Sequence, residues 1–138
     1  MQGGRAKAYR PLPAAAREEA FAAGVAAFER GDFFEAHELL EPAWMGTDEL
    51  AERDLYQGLI KLAAAFVHEV RGNRRGTAKN LRGARECLAR SAAAGGDGGG
   101  LDLPSLVGAI DELEDLAAGQ PSGRLVPPRL ARRSTPDD

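Results

Sequence analysis

The chain has 138 residues, of which 43% are hydrophobic and 28% charged, and its formal net charge is −3. These values are typical of one globular domain with a modest core, and they argue against a general nucleic-acid-binding protein. The single cysteine excludes an intrachain disulfide framework. The longest apolar run, residues 62–67, is far shorter than the roughly 20 residues of a membrane span, and the N-terminus has no apolar signal segment. We therefore predict a cytoplasmic protein that has no membrane partner.

Residues 1–13 contain glycine, proline and polar side chains, so we expect them to be a flexible N-terminus. Apolar side chains then recur every three or four residues between positions 14 and 94, a spacing that predicts amphipathic helices. Glycine or a Gly-Asx pair punctuates the pattern and divides it into four helices. These helices cover about residues 14–30, 32–45, 49–70 and 74–94.

The start of the second helix carries two local signals. Asp32 suits an N-cap, and Glu35 three residues later suits its reciprocal partner in a capping box. Pro42 has no backbone N–H and its ring crowds the preceding turn, so we expect the helix to kink or restart near Glu41. The third helix should begin after the turn at 46–48, with Thr47 or Asp48 as its N-cap.

A weak internal repeat relates the two halves of this region. An offset of 41 residues aligns Arg30-Gly31-Asp32 with Arg71-Gly72-Asn73 and keeps the apolar positions of the following helices in phase. Such a spacing is typical of helical-hairpin repeats. Residues 14–94 are therefore predicted to form a core of two antiparallel helical hairpins, similar to tetratricopeptide units.

The C-terminal part begins with a glycine run. Residues 95–101 contain five glycines and are predicted to be a flexible linker at a boundary. A fifth helix should cover residues 102–119, with Asp102 as its cap and an apolar stripe that needs a partner surface. That surface is either the preceding four helices or another subunit. The tail, residues 120–138, should be extended or disordered, and its segment 125–130 could lie in a groove.

Polar groups concentrate on one side of the second helix. At 100° per residue, His37 and Glu41 lie at the edge of a stripe that also carries Phe33, Leu40 and Trp44. Facing positions on the third helix add further polar side chains. The resulting candidate site is His37, Glu38, Glu41, Trp44, Gln57, Lys61 and His68.

The same residues carry a resemblance to a known family. The run Gly31-Asp32 to Trp44 reads Gly-Asp-x-x-x-Ala-His-Glu-x-x-Glu-x-x-Trp, and it is followed by Gln57-Gly58 and then by His68-x-x-x-Gly72-Asn73. These motifs, over about residues 20–90, closely resemble the domain of unknown function family number 309. The resemblance implies a small all-helical fold and points to these positions as important. It implies no established activity.

Three hypotheses account for the candidate site. In the first, His37 and Glu41, four residues apart, form an acid-base or metal centre, although His68 should lie roughly 10 Å too far along the third helix to complete a metal site. In the second, His37, Glu41 and Gln57 form a buried hydrogen-bond network that Trp44 closes. In the third, they line a pocket for a ligand or partner. We predict no metal and no cofactor.

Charge is segregated along the chain. Residues 32–54 hold eight acids and one base, whereas residues 71–90 hold seven bases and one acid. Five basic side chains of the fourth helix share an arc of about 100° and should form an exposed stripe. These are Arg71, Arg75, Lys79, Arg82 and Arg90. Because no aromatic residues are interleaved, the stripe does not favour nucleic acid as a partner.

The sequence thus predicts an all-α protein with two helical hairpins and a fifth helix. The favoured function is a ligand- or partner-binding module with a polar site between the second and third helices; the alternative is a metal-dependent or acid-base enzyme of the hydrolase class. The partner is an unidentified protein or small molecule, and a homo-oligomer stays open. Two contacts are also predicted: Glu41 with Gln57, and His68 with the end of the third helix.

Overall fold

The computed structural model describes residues 10–119 and 125–130, and within them it contains five α-helices and no strand. This confirms the all-α prediction. The helices are α1 (Ala14–Glu29), α2 (Phe33–Met45), α3 (Leu50–Val70), α4 (Arg74–Ala93) and α5 (Leu103–Gly119). None of these described helices is both long enough and apolar enough to cross a membrane.

Each helix packs on the next one along the chain, so that α1 and α2 form one hairpin and α3 and α4 form another. The central helix, α3, packs on both α2 and α4. The fifth helix packs on α4 of the same chain, where Arg85 donates hydrogen bonds to the carboxylate of Glu114. Of the two surfaces considered for the fifth helix, the structure therefore contains the intrachain one.

The turns within the two hairpins have the same backbone geometry. Gly31 and Gly72 have φ angles of 84° and 76°, which glycine adopts without steric cost. The residues after them, Asp32 and Asn73, are N-caps with nearly equal φ and ψ angles. Only Asn73 caps with its side chain, which accepts a hydrogen bond from the Gly76 N–H at 3.1 Å.

The predicted capping box at the start of α2 is wrong. Asp32 is the N-cap residue, but its side chain makes no capping hydrogen bond. Glu35 accepts from Arg30 at 3.1 Å instead of reaching back to the Asp32 backbone. An arginine just before the turn thus competes for the carboxylate that the box requires.

Two further local predictions concern the end of α2 and the start of α3. The α2 helix continues through Pro42 to Met45 without restarting. Pro42 lies in the last turn on the exposed side, so its missing N–H interrupts only the end of the hydrogen-bond ladder. The N-cap of α3 is Glu49, whose carboxylate accepts from two backbone N–H groups of the first turn.

Aromatic rings and close contacts at glycine form the core. Phe33 of α2 packs edge-on against Phe28 and at 5.5 Å from Phe66, which joins α1, α2 and α3. Gly58 of α3 lies against Leu88 of α4, where an added Cβ would come within 2.7 Å of the leucine side chain. Small residues therefore let the helices approach closely, as the low aromatic content requires.

The segments at both ends of the core are more ordered than expected. The backbone N–H groups of Arg10 and Leu12 donate to Met45 and Gly46, at 2.7 and 3.0 Å, so residues 10–13 lie against the end of α2. The glycine run forms a short 3-10 helix, Gly98–Gly100, in which Gly99 packs against Phe21. Its positive φ angles favour glycine, and these residues make a tight packed turn.

The predicted tail is described only in part. Residues 125–130 form neither a helix nor a strand, and both Leu125 and Leu130 are buried. The remainder of the predicted tail, and residues 1–9 of the predicted flexible N-terminus, lie outside the described residues.

Candidate functional site

The half-buried side of α2 faces α3 and carries three of the candidate residues. Phe33, His37, Glu41 and Trp44 recur at intervals of four, four and three residues, and all four are half-buried. The more deeply buried positions, Ala36, Leu40 and Ala43, lie on the adjacent side. His37, Glu41 and Trp44 are therefore at the margin between core and solvent.

Trp44 is held against α3 by a cation. The Arg53 guanidinium lies 5.1 Å from the centre of the indole ring, a distance typical of a cation–π contact. Arg53 also donates to the backbone carbonyl of Thr47 at 3.0 Å, which fixes its position. The indole Nε1 is buried, yet it has no hydrogen-bond partner within residues 10–119 or 125–130.

His37 lies between an aromatic ring and a carboxylate. Its imidazole stacks on Phe34, with 6.3 Å between ring centres and 16° between planes. Its Nδ1 atom is 3.4 Å from Glu38 Oε2, but the geometry is not that of a hydrogen bond. Phe34 is 60% exposed. His37 is thus oriented by neighbours on its own helix and not by Glu41.

The predicted contact between Glu41 and Gln57 is not present as a direct hydrogen bond in the described part of the chain. Gln57 turns towards α4, where its Oε1 atom is 3.9 Å from the Cys87 thiol that donates to it. Within the described residues, no direct hydrogen bond joins His37, Glu41 and Gln57, and a contact through one water stays a prediction. The Gln57 side chain contacts α4.

Lys61 also belongs to the contact between α3 and α4. Its aliphatic stem lies over Gly83, where a Cβ would come within 2.9 Å of Lys61 Cδ. The Cys87 thiol lies nearby, and burial raises its pKa, although the Lys61 and Arg90 cations act in the opposite direction. The thiol is therefore held in its protonated, weakly nucleophilic form.

His68 lies far from the other candidates, at the turn between α3 and α4. Its Nδ1 atom is 3.1 Å from the Asn73 side-chain nitrogen, and its ring covers Gly76 at the start of α4. His68 therefore contacts the α3–α4 turn, and the structure does not bring it together with His37.

The outer side of α3 carries a row of half-buried residues between α2 and α4. Arg53 contacts α2, whereas Gln57 and Lys61 contact α4, so α2 and α4 flank this side of α3. Five residues along it recur at intervals of four and three, and all are half-buried. They are Arg53, Gln57, Ile60, Ala64 and Val67. We call this row of α3 residues, together with His37, Glu41 and Trp44 of α2, the α3 groove.

Within residues 10–119 and 125–130, no group of three or more His, Cys, Asp or Glu side chains is arranged to hold a metal ion.

Of the predicted basic stripe, Arg90 is ion-paired with Asp54 at 3.1 Å. The other four members, Arg71, Arg75, Lys79 and Arg82, are exposed.

A small cavity of about 160 Å³ lies on the opposite side of α3, between α1 and the glycine turn. Tyr56 lines it and donates to Glu52 Oε2 at 3.1 Å. Burial and the Glu52 carboxylate raise the pKa of the Tyr56 phenol to about 12. The phenol is thus a fixed neutral donor on this wall.

Comparison with known families found one match. Residues 21–80 match the family described as "Domain of unknown function (DUF309)". Over these residues, the chain is similar to this family. No curated protein and no solved structure matches the chain.

The DUF309 match includes all seven candidate residues and ends within α4. It therefore covers both Gly-Asx turns and α3 with its groove, whereas Cys87, the glycine turn, α5 and the tail lie beyond it. The motif quoted from the sequence belongs to the DUF309 region, which confirms the family prediction.

Sequence reasoning missed three residues that the structure adds to this site. Arg53 was not singled out, because one base among eight acids resembles a solvated charge. Phe34 was missed because it falls outside the apolar stripe, although an exposed aromatic next to a histidine is a usable signal. Cys87 was considered only for disulfide formation, and its contact with Gln57 depends on how α3 and α4 pack.

Proposed function

We propose that the chain is a helical binding module that holds a segment of a partner protein in the α3 groove. The observation that carries this proposal is the buried, unpartnered indole N–H of Trp44 in the described structure. A buried donor without an acceptor costs about 1–3 kcal/mol, so such groups usually meet an acceptor from outside the chain or from water. A backbone carbonyl of a bound segment is such an acceptor.

Glu41 supplies the complementary group. It is half-buried one helical turn from Trp44, and within the described residues it has no hydrogen bond or ion pair. A peptide backbone offers both an N–H and a C=O in each residue, so one segment satisfies Glu41 and Trp44 together. The pairing of donor and acceptor on one side of α2 therefore favours a peptide over an apolar ligand.

The length and polarity of the α3 groove favour a long ligand. Its row of α3 residues extends from Arg53 to Val67, which is about 21 Å at 1.5 Å per residue. One end is polar, with Arg53 and Gln57, and the other is apolar, with Ile60, Ala64 and Val67. An extended segment of about six residues, at roughly 3.3 Å per residue, spans this length and keeps its backbone N–H and C=O groups free for Glu41 and Trp44.

The test begins with an array of amphipathic peptides screened against the full chain by anisotropy. Any peptide that binds is measured again on two variants, Trp44→Phe, which keeps an aromatic ring without the N–H, and Glu41→Gln, which keeps the shape without the charge. We expect about tenfold weaker binding in each, equivalent to ~1.4 kcal/mol. Glu112→Gln on the exposed side of α5 is the matched control and should bind like the wild type. Equal affinity in Trp44→Phe and Glu41→Gln would contradict the proposal.

The alternative function, an acid-base enzyme, receives less support from the geometry. It requires His37 and Glu41 to act together, but Nδ1 of His37 lies nearest to Glu38. Glu38 is exposed, and a carboxylate in water orients an imidazole weakly. The two functions separate by experiment, because Trp44→Phe would weaken peptide capture and leave acid-base chemistry at His37 in place.

We also infer that the two hairpins are copies of one repeat unit, as the offset of 41 residues predicts. The equal backbone geometry at Gly31 and Gly72 supports this relation. The free, buried Cys87 is consistent with a reducing compartment, and we propose a cytoplasmic location on that basis.

A further inference from the structure

The extended segment Leu125 to Leu130 lies across the end of the helical array where α1 ends and α2 begins. Leu125 and Leu130 are 5% and 7% exposed, whereas Val126 between them is 73% exposed. Pro127 and Pro128 occupy the middle and restrict the backbone to an extended form. The segment thus has two buried anchors, five residues apart, on a stiff connection. In the following text, the term tail groove means the surface beneath it.

Two carboxylates bind the backbone of this segment. The Leu125 N–H donates to Glu69 Oε2 at 3.1 Å, and the Leu130 N–H donates to Glu29 Oε2 at 2.8 Å. Any residue except proline has the same N–H, so these two bonds recognise an extended backbone and not a particular side chain. The leucine positions supply the selectivity.

Glu69 stays in place by contacts that do not involve the segment. Arg74 donates to both of its oxygens, at 3.1 and 2.8 Å, and the Thr77 hydroxyl donates at 3.1 Å. Its side chain is only 8% exposed. Removal of the segment therefore takes away one of several donors and leaves the carboxylate positioned for another backbone N–H. This part of the tail groove is preorganised.

The segment does not fill the tail groove. A cavity of about 300 Å³ remains beside Pro127, Pro128 and Arg129, and its other walls are formed by the turn after α1. Those walls consist of Phe28, Glu29, Gly31 and Phe33. An aromatic side chain in place of one proline would contact the ring of Phe33, which is half-buried, beside the buried ring of Phe28.

We propose that the tail groove is a second binding site, which accepts an extended segment of a partner protein with two leucines five residues apart and an aromatic residue between them. The chain's own residues 125–130 occupy it as an intramolecular competitor. This site is separate from the α3 groove, and its existence does not depend on the function proposed there. The partner segment displaces residues 125–130 because it makes the same anchor contacts and also fills the cavity.

The test uses the full chain and two labelled six-residue peptides, one with the sequence of residues 125–130 and one with phenylalanine at the position of Pro127. The protein variant Leu125→Ala with Leu130→Ala removes both anchors and empties the groove. Fluorescence anisotropy should show at least tenfold tighter binding of both peptides to this variant than to the wild type. The phenylalanine peptide should bind more tightly than the other in both proteins.

Two controls establish where the peptides bind. A peptide with alanine in place of both leucines should not bind. Addition of Glu29→Ala to the double variant should weaken binding, whereas addition of Glu112→Ala on the exposed side of α5 should not, because Glu29 accepts a hydrogen bond from the segment. Failure of Glu29→Ala to weaken binding would place the peptides elsewhere and overturn the proposal.

Three other outcomes would also overturn it. Equal affinity of wild type and double variant would mean that residues 125–130 do not compete for the site. Loss of helical circular dichroism in the double variant would mean that the segment is a structural part of the core and not a displaceable ligand. A wild-type dimer that the double variant abolishes would mean that two copies exchange tails, so that the occupant is a second copy and not a partner protein.

Discussion

The side-chain amide of Asn73 donates a hydrogen bond to Nδ1 of His68 across the turn between α3 and α4, with 3.1 Å between the two nitrogens. The direction follows from the other half of the amide, because Oδ1 of Asn73 accepts from the Gly76 N–H. The amide nitrogen is then a donor, so Nδ1 has to accept and the ring proton lies on Nε2. His68 therefore supports the cap of α4, which is a structural role but a different one from donation to a carbonyl of α3.

We predict that His68→Gln destabilises the protein less than His68→Leu. Glutamine retains an acceptor for the Asn73 amide, whereas leucine leaves that amide without a protein partner. The difference in unfolding free energy, measured by urea denaturation, should be about 0.5–1.5 kcal/mol. Asn73→Ala should cost less in the His68→Leu background than in the wild type. Equal losses from the two His68 variants would show that the ring acts only by its volume.

Substitution of two helical glycines by alanine should change the stability of the protein in opposite directions. At Gly58 an added Cβ would lie 2.7 Å from the side chain of the fully buried Leu88, so Gly58→Ala should destabilise the protein by about 1–3 kcal/mol. At Gly108, on the exposed side of α5, nothing lies within 4 Å of the added Cβ. Gly108→Ala should therefore stabilise by up to about 1 kcal/mol through helix propensity. Thermal unfolding measures both, and a stabilising Gly58→Ala would contradict the close packing of α3 on α4.

Glu69 should make stability depend on pH in the acid range. Burial alone would raise its pKa, but hydrogen bonds from Arg74, the Leu125 N–H and Thr77 hold the pKa below its ordinary value of 4.5. Because the folded pKa is the lower one, the carboxylate stabilises the fold above pH 4.5 and loses that contribution as the pH falls further. The free energy of unfolding of the wild type should be about 1–3 kcal/mol larger than that of Glu69→Gln at pH 7. This difference should become smaller below pH 4.5. A gap that stays constant from pH 7 to 3 would refute this assignment.

The ionisation of the Tyr56 phenol should be measurable at alkaline pH. In a Tyr9→Phe variant it is the sole tyrosine, so absorbance at about 295 nm reports its ionisation alone. Because burial and Glu52 raise its pKa from 10.0 to about 12, the native phenolate should form near pH 12. The unfolded chain ionises first, so the stability advantage over Tyr56→Phe should persist up to pH 10 and then be lost as the pH approaches 12. Ionisation of the native protein near pH 10 would show that the phenol is accessible to solvent.

The sequence predicted the helices well because their signals are local. Apolar spacing and the Gly-Asx turns located all five helices to within a few residues, and the resemblance to the family supported the same core. The errors were local signals with competing partners. Glu35 was predicted to pair with Asp32 in a capping box, but its carboxylate accepts a hydrogen bond from Arg30. The glycine run was predicted to be a linker, and in the structure Gly99 of this run packs against Phe21.

The candidate site was predicted less well, because rotation about a helix axis is not a local property. Counting residues from the turn predicted that Glu41 and Gln57 lie at similar heights, but it did not determine which neighbour each side chain faces. Gln57 contacts Cys87 because α3 and α4 approach closely at Gly58 and Gly83. Such contacts join residues about 30 positions apart, and no spacing within one helix reveals them.

The amino-acid sequence by itself determined where the helices begin and end, which of their sides are apolar, and where the polar residues of α2 concentrate, since these follow from backbone preferences and a period of 3.6 residues. Tertiary structure decided that His37, Gln57 and His68 face three different surroundings, and that the Trp44 N–H lacks an acceptor in the described chain. It also decided that residues 125–130 lie on Glu69 and Glu29. The physical reason is that a buried polar group is satisfied by whichever partner packing brings within about 3 Å, at any distance along the chain.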